Sequence, residues 1–308
     1  MIVDISCTRM IKCNLLITVL SLTILNIFLL PAVLVKVFAR RGCPVASTNV
    51  IQKERIVGGR TVPMDKFYFI AAISIVLPKT SFFQCGSSII AAHWVITAAH
   101  CIDLLKGFPL RLLYIASGHK EWRKGERHKI VRMIKHRDYE EIHYVNDTAL
   151  IEVKEPFNMG TEMPVRLAGL NYVYKENSSA TVIGWGVNET NSTIVQETLY
   201  AVDVLVFSQE FCHETYGKGM LTDDMFCAGT YEGGRDACVF DSGGPLVQKN
   251  ILIGIVSWGG NCGDKTEPGV YAKMSYFIHW LENVEKEQSI KIGYLVQNSD
   301  DKDIVGYS

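Results

Sequence analysis

The stretch Asp236-Ala237-Cys238-Val239-Phe240-Asp241-Ser242-Gly243-Gly244-Pro245 sets the tightest condition on how this chain folds. A serine sits between an aspartate and two glycines. Glycine lets the backbone turn sharply and approach a reacting group closely. A serine hydroxyl is a weak nucleophile until a base takes its proton and a carboxylate orients that base. The fold must therefore bring a histidine and an acid to Ser242. The sequence offers both, in Thr97-Ala98-Ala99-His100-Cys101 and Asn146-Asp147-Thr148-Ala149-Leu150-Ile151. Asp147 precedes an apolar run, and an unpaired charge buried there would be costly.

The chain has 308 residues, enough for one large domain or two small ones. A net charge of −1 argues against nucleic acid or an anionic membrane as the main partner. From residue 67 onward, short apolar runs rich in β-branched and aromatic residues alternate with turn residues. A first set covers 67–76, 88–91, 110–117, 129–136 and 148–153. A second covers 180–185, 199–206, 245–248, 251–258 and 269–273. This pattern predicts an all-β protein. Two short helices are expected, over 208–216 and 276–287, the second with Phe277, Trp280 and Leu281 on one face. No internal repeat is visible.

The order His100, Asp147, Ser242, with Ile56-Val57-Gly58-Gly59 upstream, resembles the chymotrypsin/trypsin family of serine endopeptidases over residues 56–287. The resemblance implies two Greek-key antiparallel β-barrels, the active site in the cleft between them, and a C-terminal helix. His100 and Asp147 would come from the first barrel and Ser242 from the second. His100 would be the general base and then the general acid. Asp147 would hold it, with a further hydrogen bond from Ser257. The oxyanion hole would be the backbone N–H groups of Phe240 and Ser242. Phe240 stands where the family has glycine, so a second reading is a weakly active homologue serving as a binding or regulatory module.

The same resemblance places Asp236 at the base of a specificity pocket with Gly259 and Gly269 on its walls. A deep pocket ending in a carboxylate suits arginine, then lysine. Ser257, Trp258 and Gly259 would pair with extended substrate. Of nine cysteines, Cys85 with Cys101, Cys212 with Cys227 and Cys238 with Cys262 match three family disulfides and imply an oxidising compartment. Cys43 has no obvious partner.

Residues 1–39 read as a signal peptide or a signal-anchor, because residues 15–35 carry no charge. Asn26 and Pro31 interrupt that run, and Val37-Phe38-Ala39 offers a cleavage site. Lys36, Arg40 and Arg41 follow it, which as an anchor would orient the chain wrongly. Secretion is therefore expected, with a membrane-anchored extracellular catalytic domain as the alternative. Residues 40–55 read as a pro-segment. The family resemblance implies that cutting between Arg55 and Ile56 by an activating trypsin-like protease would free an amine that pairs with Asp241. Asn177, Asn188 and Asn191 head glycosylation sequons. No cofactor or metal is expected, and no calcium near residues 119–128. Partners would be protein or peptide substrates and protein inhibitors. Residues 288–308 read as a mobile C-terminal extension that either stays free or docks.

Overall fold

The structure, a computed structural model, describes residues 59–186, 195–234, 236–237, 241–260 and 262–298, and the backbone of residues 305–306. The expected leader, pro-segment and activation junction lie outside these residues. So do Cys238, Phe240, Asn188 and Asn191.

Strands rich in branched residues, many of them buried along their whole length, close into two rings. The chain enters through β1 (Arg60–Thr61). It then runs through β2 (Ile70–Leu77), β3 (Thr80–Ala91), β4 (Trp94–Thr97), helix α1 (Ala99–Leu104), β5 (Leu113–Ser117), β6 (Glu126–Lys135) and β7 (Ala149–Val153). These strands close a barrel in the order β2-β3-β4-β7-β6-β5. Ile73, Ile89, Ile96, Leu113, Ile115 and Ile151 are fully buried in its core. Residues 110–112, expected as strand, form a 3-10 turn instead. Pro109 sits at φ −68° and its carbonyl accepts from Leu112 N–H, which starts the turn. The short strand β4 and helix α1 gave no periodic signal of their own.

A connecting strand, β8 (Arg166–Ala168), leads to the second half. There β9 (Ser179–Gly184) and β10 (Tyr200–Val206) precede helix α2 (Gln209–Tyr216). Strands β11 (Met225–Gly229), β12 (Pro245–Gln248), β13 (Ile251–Trp258) and β14 (Gly269–Lys273) follow. They close in the order β9-β10-β11-β14-β13-β12, because β12 pairs with both β9 and β13. Strand for strand this is the order of the first barrel. The fold is therefore all-β, two six-stranded barrels of one topology, although the sequence carries no visible repeat. The entry strand β1 pairs with β10 of the second barrel. Helix α3 (Ile278–Gln288) closes the domain, burying Ile278, Leu281 and Val284 while Trp280 is half-buried.

Residues 119–128, considered above for calcium, are organised by a buried ion pair that sequence reasoning missed. His128 Nε2 lies 3.0 Å from Glu162 Oε1, and both side chains are buried. Ser117 Oγ and Asn158 N–H also donate to Glu162. Burial opposes the charge on each partner. Their mutual hydrogen bond and attraction outweigh it, raising the His128 pKa and lowering that of Glu162.

The C-terminal extension docks. After α3, Ser289 adopts the left-handed conformation at φ 51° and turns the chain back. Ile292, Tyr294 and Val296 are then buried. Strand β15 (Leu295–Gln297) pairs in parallel with β8, and β16 (Val305–Gly306) pairs antiparallel with β15. Asn298 Oδ1 accepts from Asn171 N–H, and Gln297 O from Gly169 N–H. A side chain at Gly169 would overlap Asn298 Oδ1 and come within 2.6 Å of Val296 Cγ1. The extension thus covers the exposed edge of the strand that joins the two barrels. Removing an isoleucine side chain from a packed core costs about 2–5 kcal/mol, whereas a residue on a free tail changes stability by at most about 0.5 kcal/mol. Urea unfolding of Ile292→Ala should show the larger loss; a midpoint equal to wild type would mean the extension is not docked in solution.

Candidate active site

The site is assembled from three segments that end or leave strands at the junction of the barrels. Strand β4 ends at the buried Thr97, whose hydroxyl donates to Gly86 O at 2.8 Å. Three residues later His100 lies in the first turn of α1, with its side chain 16% exposed. Asp147 stands just before β7 and is fully buried. Its Oδ1 accepts from His100 N–H at 2.9 Å, and its Oδ2 lies 2.8 Å from His100 Nδ1. A carboxylate only accepts, so the proton on this contact belongs to Nδ1, which leaves Nε2 as the acceptor. Ser257 Oγ, from the second barrel, donates to Asp147 Oδ2 at 2.6 Å. Three donors from two barrels thus satisfy one buried carboxylate.

Ser242 is held by its backbone. Its carbonyl accepts from Gly86 N–H of β3 at 2.8 Å, while Gly243 N–H donates to Val256 O of β13 at 2.8 Å. Gly243 has φ +75°, and a Cβ there would overlap Thr97 Oγ1 and come within 2.6 Å of Gly86 O. Glycine is required on both counts. Gly86 follows Cys85, which is bonded to Cys101, the neighbour of His100. The serine and histidine segments are thereby tied together through Gly86 and this disulfide. Ser242 Oγ is not hydrogen-bonded to His100 in this structure; Nε2 lies 3.7 Å from Cys101 Sγ. Such bonds are often loose before substrate arrives.

Asp236, Ser242, Ser257, Trp258, Gly259 and Gly269 all line one cavity of about 220 Å³. At its base Asp236 is only 4% exposed. One carboxylate oxygen, Oδ2, accepts from Gly263 N–H at 3.3 Å, and Oδ1 has no hydrogen-bond partner among the described residues. Burial pushes this carboxyl up to about 7, against partial help from neighbouring backbone N–H groups. A Cβ at Gly269 would sit 2.8 Å from Asp236 Oδ1, so glycine there keeps the carboxylate reachable.

Two tyrosines in this region carried no sequence signal. Tyr271 lines the cavity and is fully buried, and its hydroxyl has no partner among the described residues. Tyr216 packs edge-on against Trp258, with ring centroids 4.9 Å apart, and its hydroxyl donates to Pro268 O. Position 271 could have been found only by asking which β14 residues face inward beside Gly269.

Asp241 is buried, and its Oδ1 accepts from Gly186 N–H at 2.8 Å. Its expected partner, the Ile56 amine, lies outside the described residues. The disulfides Cys85–Cys101 and Cys212–Cys227 are formed, and Cys262 is disulfide-bonded while its expected partner Cys238 is not described. Asn177 is exposed in a turn at φ 59°. Cys85, His100 and Cys101 place three potential ligand atoms within 4.8 Å of one another, but the disulfide consumes both sulfurs.

The family model described as Trypsin matches residues 56–281. Trypsin 5G1 of Aedes aegypti is 38% identical over 232 residues, covering 75% of this chain and 85% of that protein. Trypsin epsilon of Drosophila erecta is 35% identical over 238 residues, covering 76% and 88%. Among solved structures, neuropsin, a serine protease expressed in the limbic system of mouse brain, superposes with a TM-score of 0.65 at 30% identity. The match covers 73% of this chain and 98% of that one.

The Asp236 carboxyl generates a pH test. Its folded pKa of about 7 lies above the value of about 3.9 in an unfolded chain. Between the two the unfolded state binds fewer protons, so this group's contribution to stability falls as pH rises from about 4 to 7. Asp236→Asn should be more stable than wild type at pH 8, on the order of 4 kcal/mol, with the gap closing toward pH 4. Denaturant titrations at both pH values measure it, and equal stability at pH 8 contradicts it.

Proposed function

The chain belongs to the trypsin family of serine endopeptidases, and from that premise we propose a secreted enzyme, made as a zymogen, that cleaves proteins after arginine in preference to lysine. The observation that carries the specificity is an Asp236 oxygen in the 220 Å³ cavity that has no hydrogen-bond partner among the described residues. A buried carboxylate lacking a hydrogen-bond partner is best satisfied by a cationic side chain that reaches it.

In this reading an extended substrate pairs along residues 257–259 and places its arginine against Asp236. His100 Nε2 takes the Ser242 hydroxyl proton as Oγ attacks the scissile carbonyl. Asp147 keeps the other ring nitrogen protonated and stabilises the imidazolium that forms. The backbone N–H groups of Phe240 and Ser242 receive the oxyanion. His100 then gives its proton to the leaving amine, and water, activated in the same way, releases the acyl-enzyme. Replacing the serine that attacks costs about 10⁶ in kcat in enzymes of this type, and Ser242→Ala should do so here. Losing one oxyanion donor costs only about 10²–10³. Even an ill-placed Phe240 therefore leaves a slow protease. If the activated protein neither hydrolyses arginine peptides nor labels Ser242 with an organophosphonate, the regulatory-module reading takes its place.

Activation and specificity are testable apart. The Arg55/Ile56 junction and the buried Asp241 motivate the first test. Trypsin treatment should activate the wild-type zymogen and leave Arg55→Gln inactive; full activity in that variant removes the zymogen reading. The second rests on Ala237, which lines the cavity without supplying a hydroxyl. A guanidinium can bind Asp236 with two N–H groups, whereas the shorter lysine ammonium needs a further acceptor. One charge-assisted hydrogen bond is worth about 1.5–3 kcal/mol, so arginine should lead by roughly tenfold in kcat/KM. Ala237→Ser should narrow that gap, and equal values on matched arginine and lysine substrates refute the argument.

A further inference from the structure

The turn that delivers Asp147 has an unusual backbone. Tyr144 and Asn146 both have positive φ, 58° and 55°, and neither is glycine. Two left-handed residues so close together persist only where surrounding contacts over-determine them. On its own barrel the turn is held by Glu140 N–H to Val145 O and by Asn146 Nδ2 to Asp138 O at 3.1 Å. The second barrel supplies the rest. Val145 packs against a satellite core cluster that includes Met225 and Val270. Asn146 N–H donates to Asp224 Oδ2 at 2.7 Å.

Asp224 is built for that task. It lies at the foot of β11 and is 2% exposed. Thr222 Oγ1 donates to its Oδ1, and its backbone carbonyl accepts from Lys273 N–H at 2.7 Å. Both carboxylate oxygens are thus committed, one within its own barrel and one across the cleft. It holds the N–H of Asn146, the residue immediately before Asp147, and Asn146 O accepts from Thr148 N–H on the far side of Asp147. Moving the Asn146 peptide would swing Asp147 away from His100 Nδ1.

We propose that Asp224 is a positioning residue, which from the second barrel latches the peptide before Asp147 and so sets the Asp147–His100 hydrogen bond. The proposal rests on the proteolytic reading of this site. Asp224 touches neither substrate nor the reacting atoms. Its effect belongs to kcat, because a displaced Asp147 lowers the population of correctly held His100 without altering the cavity around Asp236. Misplacement of a catalytic group by about 1 Å can cost as much as 10²-fold.

The experiment uses the activated full-length chain and counts working sites by active-site titration. Asp224→Ala should lower kcat per titrated site on a small arginine amide by at least about tenfold, with KM within about twofold. Asp224→Asn keeps an acceptor oxygen and should recover most of the rate. Thr222→Ala, which only loosens the carboxylate, should lose about threefold and serves if Asp224→Ala does not fold. A merely structural role would lower the titrated fraction and the melting temperature but leave kcat per site unchanged, and that result overturns the proposal. So does an Asn variant as slow as the Ala variant. A readout independent of turnover is the low-field proton resonance of the His100 Nδ1–H to Asp147 bond. It should shift or broaden in Asp224→Ala, or in Thr222→Ala, and survive in Asp224→Asn. If the wild type proves unable to hydrolyse anything, the proteolytic reading fails, and this resonance still decides the role of Asp224: an unchanged signal in the loosened variants overturns it.

Discussion

A single buried carboxylate ties the two barrels into one working unit. Asp147 receives two hydrogen bonds from His100 of its own barrel and one from Ser257 of the other. An ionised carboxylate with no water around it is tolerable only when such donors surround it. Separating the barrels would therefore cost this carboxylate its Ser257 donor as well as expose apolar surface. The neighbouring segment makes the same demand through its backbone. Ser242 O and Gly86 N–H join the barrels directly, at a contact too close for any side chain on Gly243. The geometry of the cleft follows from these few polar ties, and the cores on either side provide the rigidity behind them.

The two barrels share one strand order while their sequences show no repeat. Barrel closure depends on which strands pair and on apolar residues facing inward, conditions many sequences meet. The elements unique to each half are those at the cleft. The first half contributes a histidine on a short helix and an acid at a strand entrance. The second contributes a serine in a glycine-rich turn and a cavity closed by β13, β14 and the segment around Asp236. The connecting strand β8 would leave an open edge between them. The C-terminal extension covers it with a parallel strand.

How much of this could be read in advance depends on whether a residue acts through its side-chain chemistry or through its place in space. His100, Asp147, Ser242 and Asp236 stood out because they sit in short motifs whose residue types make sense only together. Strands β12, β13 and β14 were bounded correctly because Pro245, the turn at Lys249-Asn250 and Gly269 punctuate the apolar runs. Strand β4, four buried residues long, is too short to show a period. The docking of residues 290–298 was not legible, because parallel pairing with β8 is decided by a partner more than a hundred residues away in sequence. Asp224 and Tyr271 were missed for a related reason. One acts on a backbone N–H and the other faces a cavity formed by distant strands, and neither leaves a local pattern. The buried pair His128 and Glu162 is the same case, two unremarkable letters made interdependent by burial.

Asp236 shows why a site of this kind differs from a core that happens to contain a charge. Asp147 and Asp241 are each as deeply buried, and each has donors within the protein. Asp236 is buried with one oxygen that has no hydrogen-bond partner among the described residues, and the same holds for the Tyr271 hydroxyl in that cavity. That arrangement opposes folding, because desolvation favours the neutral acid and pushes its pKa up to about 7. Under the proposed specificity, a cation entering the cavity would supply a partner and draw the proton off. The same interaction that weakens the free protein would then strengthen the proposed complex, and only for a ligand long enough to reach the carboxylate. Glycine at position 269 keeps that path clear, since a side chain there would press on the carboxylate. In the proposed reading, stability given up at Asp236 would be converted into selectivity for the side chain that restores it.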